Sequence, residues 1–165
     1  MNSFVMKTPI GFLKITEENE LITEIKYIED FILMEQKSTP ILDMAVKQLT
    51  EYFEGERTEF CLPLDIKGTN FTKTVLNKLA NVTYGSTITY GELAKLTGNS
   101  KAARAVGTVM RKNSFIIVLP CHRVLPKNNS LGNYSAGGAQ NKEWLLTFEK
   151  QNINPFTLLN IVNIL

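Results

Sequence analysis

Residues 119–124, Leu119-Pro120-Cys121-His122-Arg123-Val124, set one of only two cysteines directly beside the only histidine in the chain. The thiolate is the reactive form of cysteine, and a neighbouring base or cation lowers its pKa from ~8.5 toward neutrality. The pair reads as a nucleophile with its activator. It reads equally as a small buried cysteine beside a core imidazole, because free cysteine is among the most buried residue types. Upstream, Phe115 to Leu119 is an unbroken apolar run, and the residue before Pro120 is biased away from helix. Cys121 is therefore expected to follow a buried extended segment.

Further upstream the pattern is helical. Val75, Leu76, Leu79 and Ala80 share one face of a helix that starts after Thr69 and gives out before Tyr84-Gly85. Thr89 and Glu92 have the spacing at which each side chain satisfies an orphan backbone donor, so a short helix is expected from Tyr90 to about Thr97, stopped by Gly98. Ser100 is expected to cap the next helix, which carries Ala102, Ala103, Ala105, Val106 and Val109. Two short helices joined by a glycine-containing turn fit a helix-turn-helix, and fit an ordinary helical hairpin as well. Between Lys95 and Lys112 stand Lys95, Lys101, Arg104, Arg111 and Lys112 without a single Asp or Glu. Such a patch is a nucleic-acid footprint or a solvated helix face.

Downstream, Asn128-Asn129-Ser130, Gly132-Asn133 and Gly137-Gly138 are turn signals, and a last helix begins near Ala139 with Trp144, Leu145 and Phe148 inward. The stretch from Phe156 to Leu165 is apolar and uncharged, and is expected to pack on the body or on a partner chain. At the other end, Phe4 to Met6, Ile10 to Ile15 and Leu21 to Ile28 read as three short antiparallel strands. A helix over Ile41 to Phe53 ends at Gly55, Arg57 to Leu62 is a candidate fourth strand, and Pro63 to Gly68 is a linker. Cys61 is assigned to that apolar strand. The chain is therefore α+β: a small sheet-and-helix domain over 1–64, a mostly helical domain with a helix-turn-helix over 69–150, and a tail over 151–165.

Composition narrows the function classes. With 165 residues, 44% hydrophobic and 21% charged, the chain is an ordinary globular protein, and its net charge of +2 does not by itself announce nucleic acid. Two cysteines without a CxxC and one histidine cannot supply the usual four-ligand zinc site, so no metal or other cofactor is expected. No apolar run approaches a membrane span, and free thiols fit a reducing cytoplasm.

The stretch 68–149 resembles the O6-alkylguanine-DNA alkyltransferases. The resemblance rests on ordered blocks: Gly68-Thr69-x-Phe71, Tyr84-Gly85, Thr89-Tyr90-Gly91-Glu92-Leu93-Ala94, Arg104-Ala105-Val106-Gly107, Asn113, Pro120-Cys121-His122-Arg123-Val124, Gly132-Asn133-Tyr134-Ser135 and Lys142-x-Trp144-Leu145-Leu146-x-x-Glu149. Thr8-Pro9-Ile10-Gly11 and Tyr52-Phe53-x-Gly55-x-Arg57 carry a looser match to that family's ribonuclease-H-like, non-catalytic N-terminal domain.

The resemblance implies that Cys121 takes the alkyl group from O6 of a guanine flipped out of duplex DNA and is consumed, with O4-alkylthymine an open second substrate. It implies that His122 accepts the thiol proton, in the family through an ordered water, and that Glu149 orients the imidazole. Asn113 would knit the second helix to the Cys121 segment. Tyr90, Met110, Val124, Tyr134 and Ser135 would contact the base or its phosphate. Arg104 would fill the space that the base leaves. Ala103, Ala105, Gly107, Arg111 and Arg123 would join Arg104 and Tyr90 on the DNA, in the minor groove and without sequence specificity. A monomer bound to lesion-bearing double-stranded DNA is the implied complex.

This chain departs from the family pattern at Thr83, Ser100 and Ser114, where proline is common, and at Leu76 and Thr72. It departs most in Tyr134-Ser135-Ala136-Gly137-Gly138-Ala139, a loop one residue longer than usual over the substrate pocket. Three other readings stay open on the sequence. One is a non-catalytic lesion binder, although such proteins replace the nucleophile that Cys121 retains. Another is a regulatory helix-turn-helix protein, and the third is a cysteine hydrolase, whose partners ordinarily lie far apart in sequence.

Overall fold

The structure is a computed structural model describing residues 1–31 and 35–153. The packing expected for Phe156 to Leu165 lies outside those residues. Strands β1 (Asn2–Thr8), β2 (Gly11–Glu18) and β3 (Leu21–Ile28) form an antiparallel meander in that order. Alternation sends Leu13 and Ile15 of β2 into the core, and a register shift in the β2–β3 pairing at Thr16/Glu17 lets Ile22 and Ile25 of β3, three residues apart, both join them. The β2–β3 hairpin turns on Asn19 and Glu20, with φ of 52° and 62°, the doubly left-handed pairing whose twist matches the strands. Helix α1 (Pro40–Phe53) starts where the Thr39 hydroxyl accepts the Leu42 N–H at 3.2 Å, and lays Leu42, Ala45, Leu49 and Tyr52 on the sheet.

The fourth strand expected over Arg57 to Leu62 is absent, and no regular element occupies that stretch. The Gln48 side chain takes the place of a neighbouring strand: its amide nitrogen donates to the Cys61 carbonyl and its oxygen accepts the Cys61 N–H, both at 2.9 Å. Cys61 itself is exposed, against the expectation of a buried apolar strand residue.

The second half comprises α2 (Asn70–Ala80), β4 (Ile88–Thr89), α3 (Tyr90–Leu96), α4 (Ala103–Arg111), β5 (Val124–Leu125) and α5 (Gly138–Gln151). Val75, Leu79, Leu93, Val106 and Leu145 join one continuous core with the sheet residues, but Ala80 faces outward. The Thr89–Glu92 capping box forms with both reciprocal bonds, fixing where β4 becomes α3. Ser100 does not cap α4. Asn99 turns the chain instead, its side chain accepting the Lys101 N–H and its carbonyl the Ala102 N–H, both at 3.1 Å, and α4 starts without a side-chain cap.

In the run Phe115 to Leu119 every residue but the half-buried Val118 is buried, yet the run is folded into a turn rather than extended, with Ile117 at φ 70°. The turn is pinned to β3, because Ile25 N–H donates to the Ser114 carbonyl at 2.7 Å and the Ile25 carbonyl accepts the Ile116 N–H at 3.2 Å. β5, which follows a 3-10 turn at Cys121–Arg123, pairs in parallel with β4 through Ile88 and Val124. That two-residue pairing ties the Cys121 turn to the start of α3. No described helix is long and apolar enough to cross a membrane.

Thr89→Ala removes one half of the capping box. It should destabilise the chain by about 1 kcal/mol, read as a lower urea midpoint at unchanged m-value, with Thr89→Ser restoring most of the loss.

Candidate active site

The Glu149 carboxylate is fully buried, although it stands near the C-terminal end of α5, where the helix dipole disfavours an anion. Five donors converge on it. Oε1 accepts from the Tyr52 hydroxyl at 2.7 Å, from His122 Nε2 at 2.7 Å and from an Arg123 guanidinium nitrogen at 2.9 Å. Oε2 accepts from Arg123 Nε at 2.9 Å and from the Gly85 N–H at 3.1 Å. Burial alone would raise the Glu149 pKa. The hydrogen bonds from His122 and Arg123, with the Arg123 charge, outweigh it and hold the carboxyl well below the usual carboxylate range.

His122 is pushed the other way. Burial disfavours its cation, the Glu149 carboxylate only partly restores it, and the positive Arg123 and Lys142 add to the lowering. Because Arg123 already neutralises the carboxylate in a bidentate pair, the direction that holds is a neutral imidazole against an ionised Glu149. Glu149 accepts only, so Nε2 carries the proton, and Nδ1 presents a bare lone pair with no hydrogen-bond partner among the described residues. That nitrogen is a base with nothing yet to act on.

Cys121 is 4% exposed, and burial pushes its thiol pKa up, only partly offset by a hydrogen bond from Asn113 and the charge of Lys142. The adjacency read from the sequence as thiolate activation thus yields a protonated thiol at rest. Asn113 follows α4. Its amide donates to the Leu119 carbonyl at 2.8 Å, its oxygen accepts the Phe115 N–H at 3.0 Å, and the Cys121 turn is held to the end of the helix.

Around the thiol, Tyr134 is buried with an unpartnered hydroxyl, its ring set edge-on to His122 at 6.4 Å, and burial raises its pKa well above the usual phenol. Tyr90 is half-buried. Burial, then the nearby Cys121, raises its pKa, and its ring lies 3.8 Å from the point where a Gly107 side chain would begin. Met110 is buried and Ser135 exposed. The Val124 and Cys121 carbonyls each already accept an internal bond, from Lys142 Nζ at 2.7 Å and from the Val124 N–H, which leaves each one lone pair. On α4, Arg104 and Ala105 are exposed, Ala103 and Gly107 half-exposed, and Arg111 extends outward to bond Thr108 at 3.3 Å.

Arg123, placed with the DNA contacts by the sequence reading, does not lie on that surface. Its guanidinium is enclosed by Glu149, by the Val82 carbonyl at 2.6 Å and by the Tyr84 ring at 5.5 Å. The sequence reading also missed Tyr52, whose hydroxyl reaches the site from the N-terminal half, along with the Gly85 amide and Lys142. Only the recurrence of Tyr52-Phe53-x-Gly55 as a matched block pointed that way. Among the described residues no group of three or more His, Cys, Asp or Glu converges on a metal position. A cavity of about 870 Å³ is lined by Leu119, Pro120 and Arg123 but not by Cys121, so it backs the site rather than opening onto the thiol.

A buried thiol beside an imidazole that a carboxylate orients, next to an exposed basic helix, defines a cysteine-dependent transferase acting on nucleic acid. Residues 70–151 match the 6-O-methylguanine DNA methyltransferase DNA-binding domain, and residues 3–66 match the ribonuclease-like domain of the same family. The chain belongs to the 6-O-methylguanine DNA methyltransferase family. It is 40% identical over 152 residues to the constitutive methylated-DNA–protein-cysteine methyltransferase of Bacillus subtilis, covering 87% of this chain and 92% of that one. It is 37% identical to the Methanosarcina acetivorans methylated-DNA–protein-cysteine methyltransferase, covering 88% and 96%. In three dimensions it superposes on Mycobacterium tuberculosis OGT in complex with DNA at a TM-score of 0.82 and 35% identity, over 94% of this chain and 96% of that one. The chain is thus an enzyme of DNA repair that acts as a methyltransferase on alkylated DNA.

Arg123→Met leaves the Glu149 carboxylate buried without its counter-charge and should destabilise the fold by about 3–5 kcal/mol, measured by urea denaturation at neutral pH. Acid should act through the same carboxylate. The depressed Glu149 pKa contributes stability that is fully present above the unfolded value of 4.5 and is lost as pH falls from there toward the folded pKa. Glu149→Gln removes that dependence, so the stability gap between wild type and variant should narrow as pH is lowered from 7 to 3.

Proposed function

We propose that the chain removes the alkyl group from O6 of guanine in duplex DNA by transferring it irreversibly to Cys121. The observation that carries the reading is the His122 imidazole, fixed by Glu149 through Nε2 with its Nδ1 lone pair free, in the residue next to a buried protonated thiol. Nδ1 takes the Cys121 proton, through a bridging water. Sγ then attacks the alkyl carbon in line, the carbon–oxygen bond breaks, and its electron pair leaves on the guanine. The proton count closes when that anion is protonated, and the Tyr134 hydroxyl, buried and unpartnered, is a donor for the base. The product thioether has no leaving group that water can displace, so each chain repairs one lesion.

A stacked guanine cannot bring its O6 to a buried sulfur, and flipping it out costs a few kcal/mol that lesion damage reduces. The α3–α4 pair acts as a helix-turn-helix whose second helix enters the minor groove. Ala103, Ala105 and Gly107 let its backbone approach, Arg104 fills the gap in the stack, Arg111 faces phosphate, and Tyr90 presses on the target phosphate. Minor-groove edges are degenerate and phosphates carry no sequence information, so binding is independent of sequence. Met110 walls the pocket, Ser135 offers its amide to O6, and the free lone pairs of the Val124 and Cys121 carbonyls face the exocyclic amine. The protein acts as a monomer in a reducing, cytoplasmic setting that keeps its thiols free.

Incubation with duplex DNA carrying O6-methylguanine should add one methyl group to Cys121 with a stoichiometry of one per chain, read by intact-mass and peptide spectrometry. Cys121→Ala should give no adduct, and His122→Phe should slow transfer by about 10²–10⁴-fold. Turnover beyond one methyl per chain, or a methyl group elsewhere, overturns the reading.

A further inference from the structure

The loop that carries Tyr134 and Ser135 is tied to the opposite half of the molecule by one side chain. Residues 134–138 form a turn closed by the Gly138 N–H, which donates to the Tyr134 carbonyl at 3.1 Å. From the first turns of α5, the Asn141 amide nitrogen sends one hydrogen to the Ala136 carbonyl at 3.0 Å and the other to the Ile10 carbonyl, in the β1–β2 hairpin turn, at 2.8 Å. Both partners are acceptors, so only an amide NH₂ facing them satisfies the pair.

The packing around this clamp leaves no slack. A side chain at Gly137, whose φ is 83°, would begin 2.0 Å from Asn141 Nδ2 and 3.2 Å from the Tyr27 ring. The other side of the clamp is as close, since a side chain at Gly11 would begin 2.7 Å from the same Tyr27 ring. Tyr27 of β3 thus lies between the hairpin turn and the pocket loop. Ala136 is fully buried, and Tyr134, two residues before it, stands edge-on to His122.

We infer that Asn141 is the positioning residue through which the N-terminal sheet sets the distance of the Tyr134–Gly138 loop from Cys121, and with it the size of alkyl group that the site accepts. This rests on the alkyl-transfer reading above. The loop carries Tyr134, which stands close enough to Cys121 for a thiolate charge to bear on its phenol, and its only polar link to the sheet among the bonds described is the one from Asn141. Among those bonds Asn141 joins neither Cys121 nor His122, so it acts through the loop. Without the clamp, the loop drifts outward. A small methyl group then loses its alignment for in-line attack, where displacements of about 1 Å can cost 10²-fold. A benzyl group, which needs more room, loses less.

Asn141→Ala and Asn141→Asp test this, the second replacing the donor by an acceptor that repels both carbonyls at nearly constant volume. Rates of transfer to Cys121 are measured with duplex DNA bearing O6-methylguanine or O6-benzylguanine. In parallel, the urea midpoint and the affinity for undamaged duplex DNA report on the fold and on the DNA-facing surface. The expected result is a benzyl-to-methyl rate ratio raised about tenfold or more in both variants, with the affinity for undamaged duplex kept within about twofold of wild type. A ratio unmoved in both variants, with both lesions slowed equally or not at all, overturns the inference while leaving alkyl transfer intact. A wild-type chain that takes up neither group overturns the alkyl-transfer reading itself.

Discussion

The structure depends on one buried carboxylate. Glu149 collects its donors from Tyr52 in α1, the Gly85 amide ahead of β4, and His122 and Arg123 in the turn that carries the thiol. The β4–β5 pairing and the shared core bring these segments near one another, and the carboxylate fixes the point at which their donors converge. A fully buried anion is tolerated only when it is paired and its lone pairs are filled, so each segment is held where its donor is needed. Arg123 supplies the charge, which frees His122 from doing so. Were Arg123 absent, the carboxylate would draw a proton onto the imidazole, and an imidazolium cannot act as a base. The ion pair therefore serves the chemistry by keeping a neighbouring residue neutral.

The N-terminal half reaches the site along three routes. Tyr52 donates to the carboxylate, Ile25 brackets the turn before Cys121 through two backbone bonds, and Ile10 accepts from Asn141 behind the Tyr134 loop. Each route uses the sheet or the helix packed on it as a rigid rule against which a flexible segment is set. This is how a domain without a reacting group shapes a reaction.

Much of this was legible in the sequence where the cause is local. The Thr89–Glu92 box and the helical face of Val75, Leu76 and Leu79 follow from spacing, because the bonds that fix them span three or four residues. The meeting of His122 with Glu149 was legible only through the ordered motif blocks, because the 27 positions that separate them carry no local signal that joins the two. What escaped depends on distant partners. Gln48 replaces a strand for Cys61 across thirteen residues, and Ile117, in the turn pinned to β3, takes a left-handed conformation that a β-branched residue disfavours. Arg123 looked like a DNA contact because neither an arginine's burial nor the carboxylate it faces is written in its neighbours.

The state of the thiol follows from the same burial. In the reaction proposed for this site the nucleophile is used once, so any encounter with another electrophile or oxidant ends the molecule's usefulness. Oxidation and stray alkylation both require thiolate and access. A Cys121 that is 4% exposed and held protonated by burial offers neither, while the base that would ionise it stands ready one residue away. Ionisation then awaits an event that brings the acceptor carbon to the sulfur and gives the Tyr134 hydroxyl its missing partner. The Tyr134 hydroxyl, buried without a partner among the described residues, carries a desolvation cost until then. A ligand that accepts from it recovers that cost on entering, which favours a base with hydrogen-bonding edges over a small reagent and couples recognition of the lesion to activation of the nucleophile.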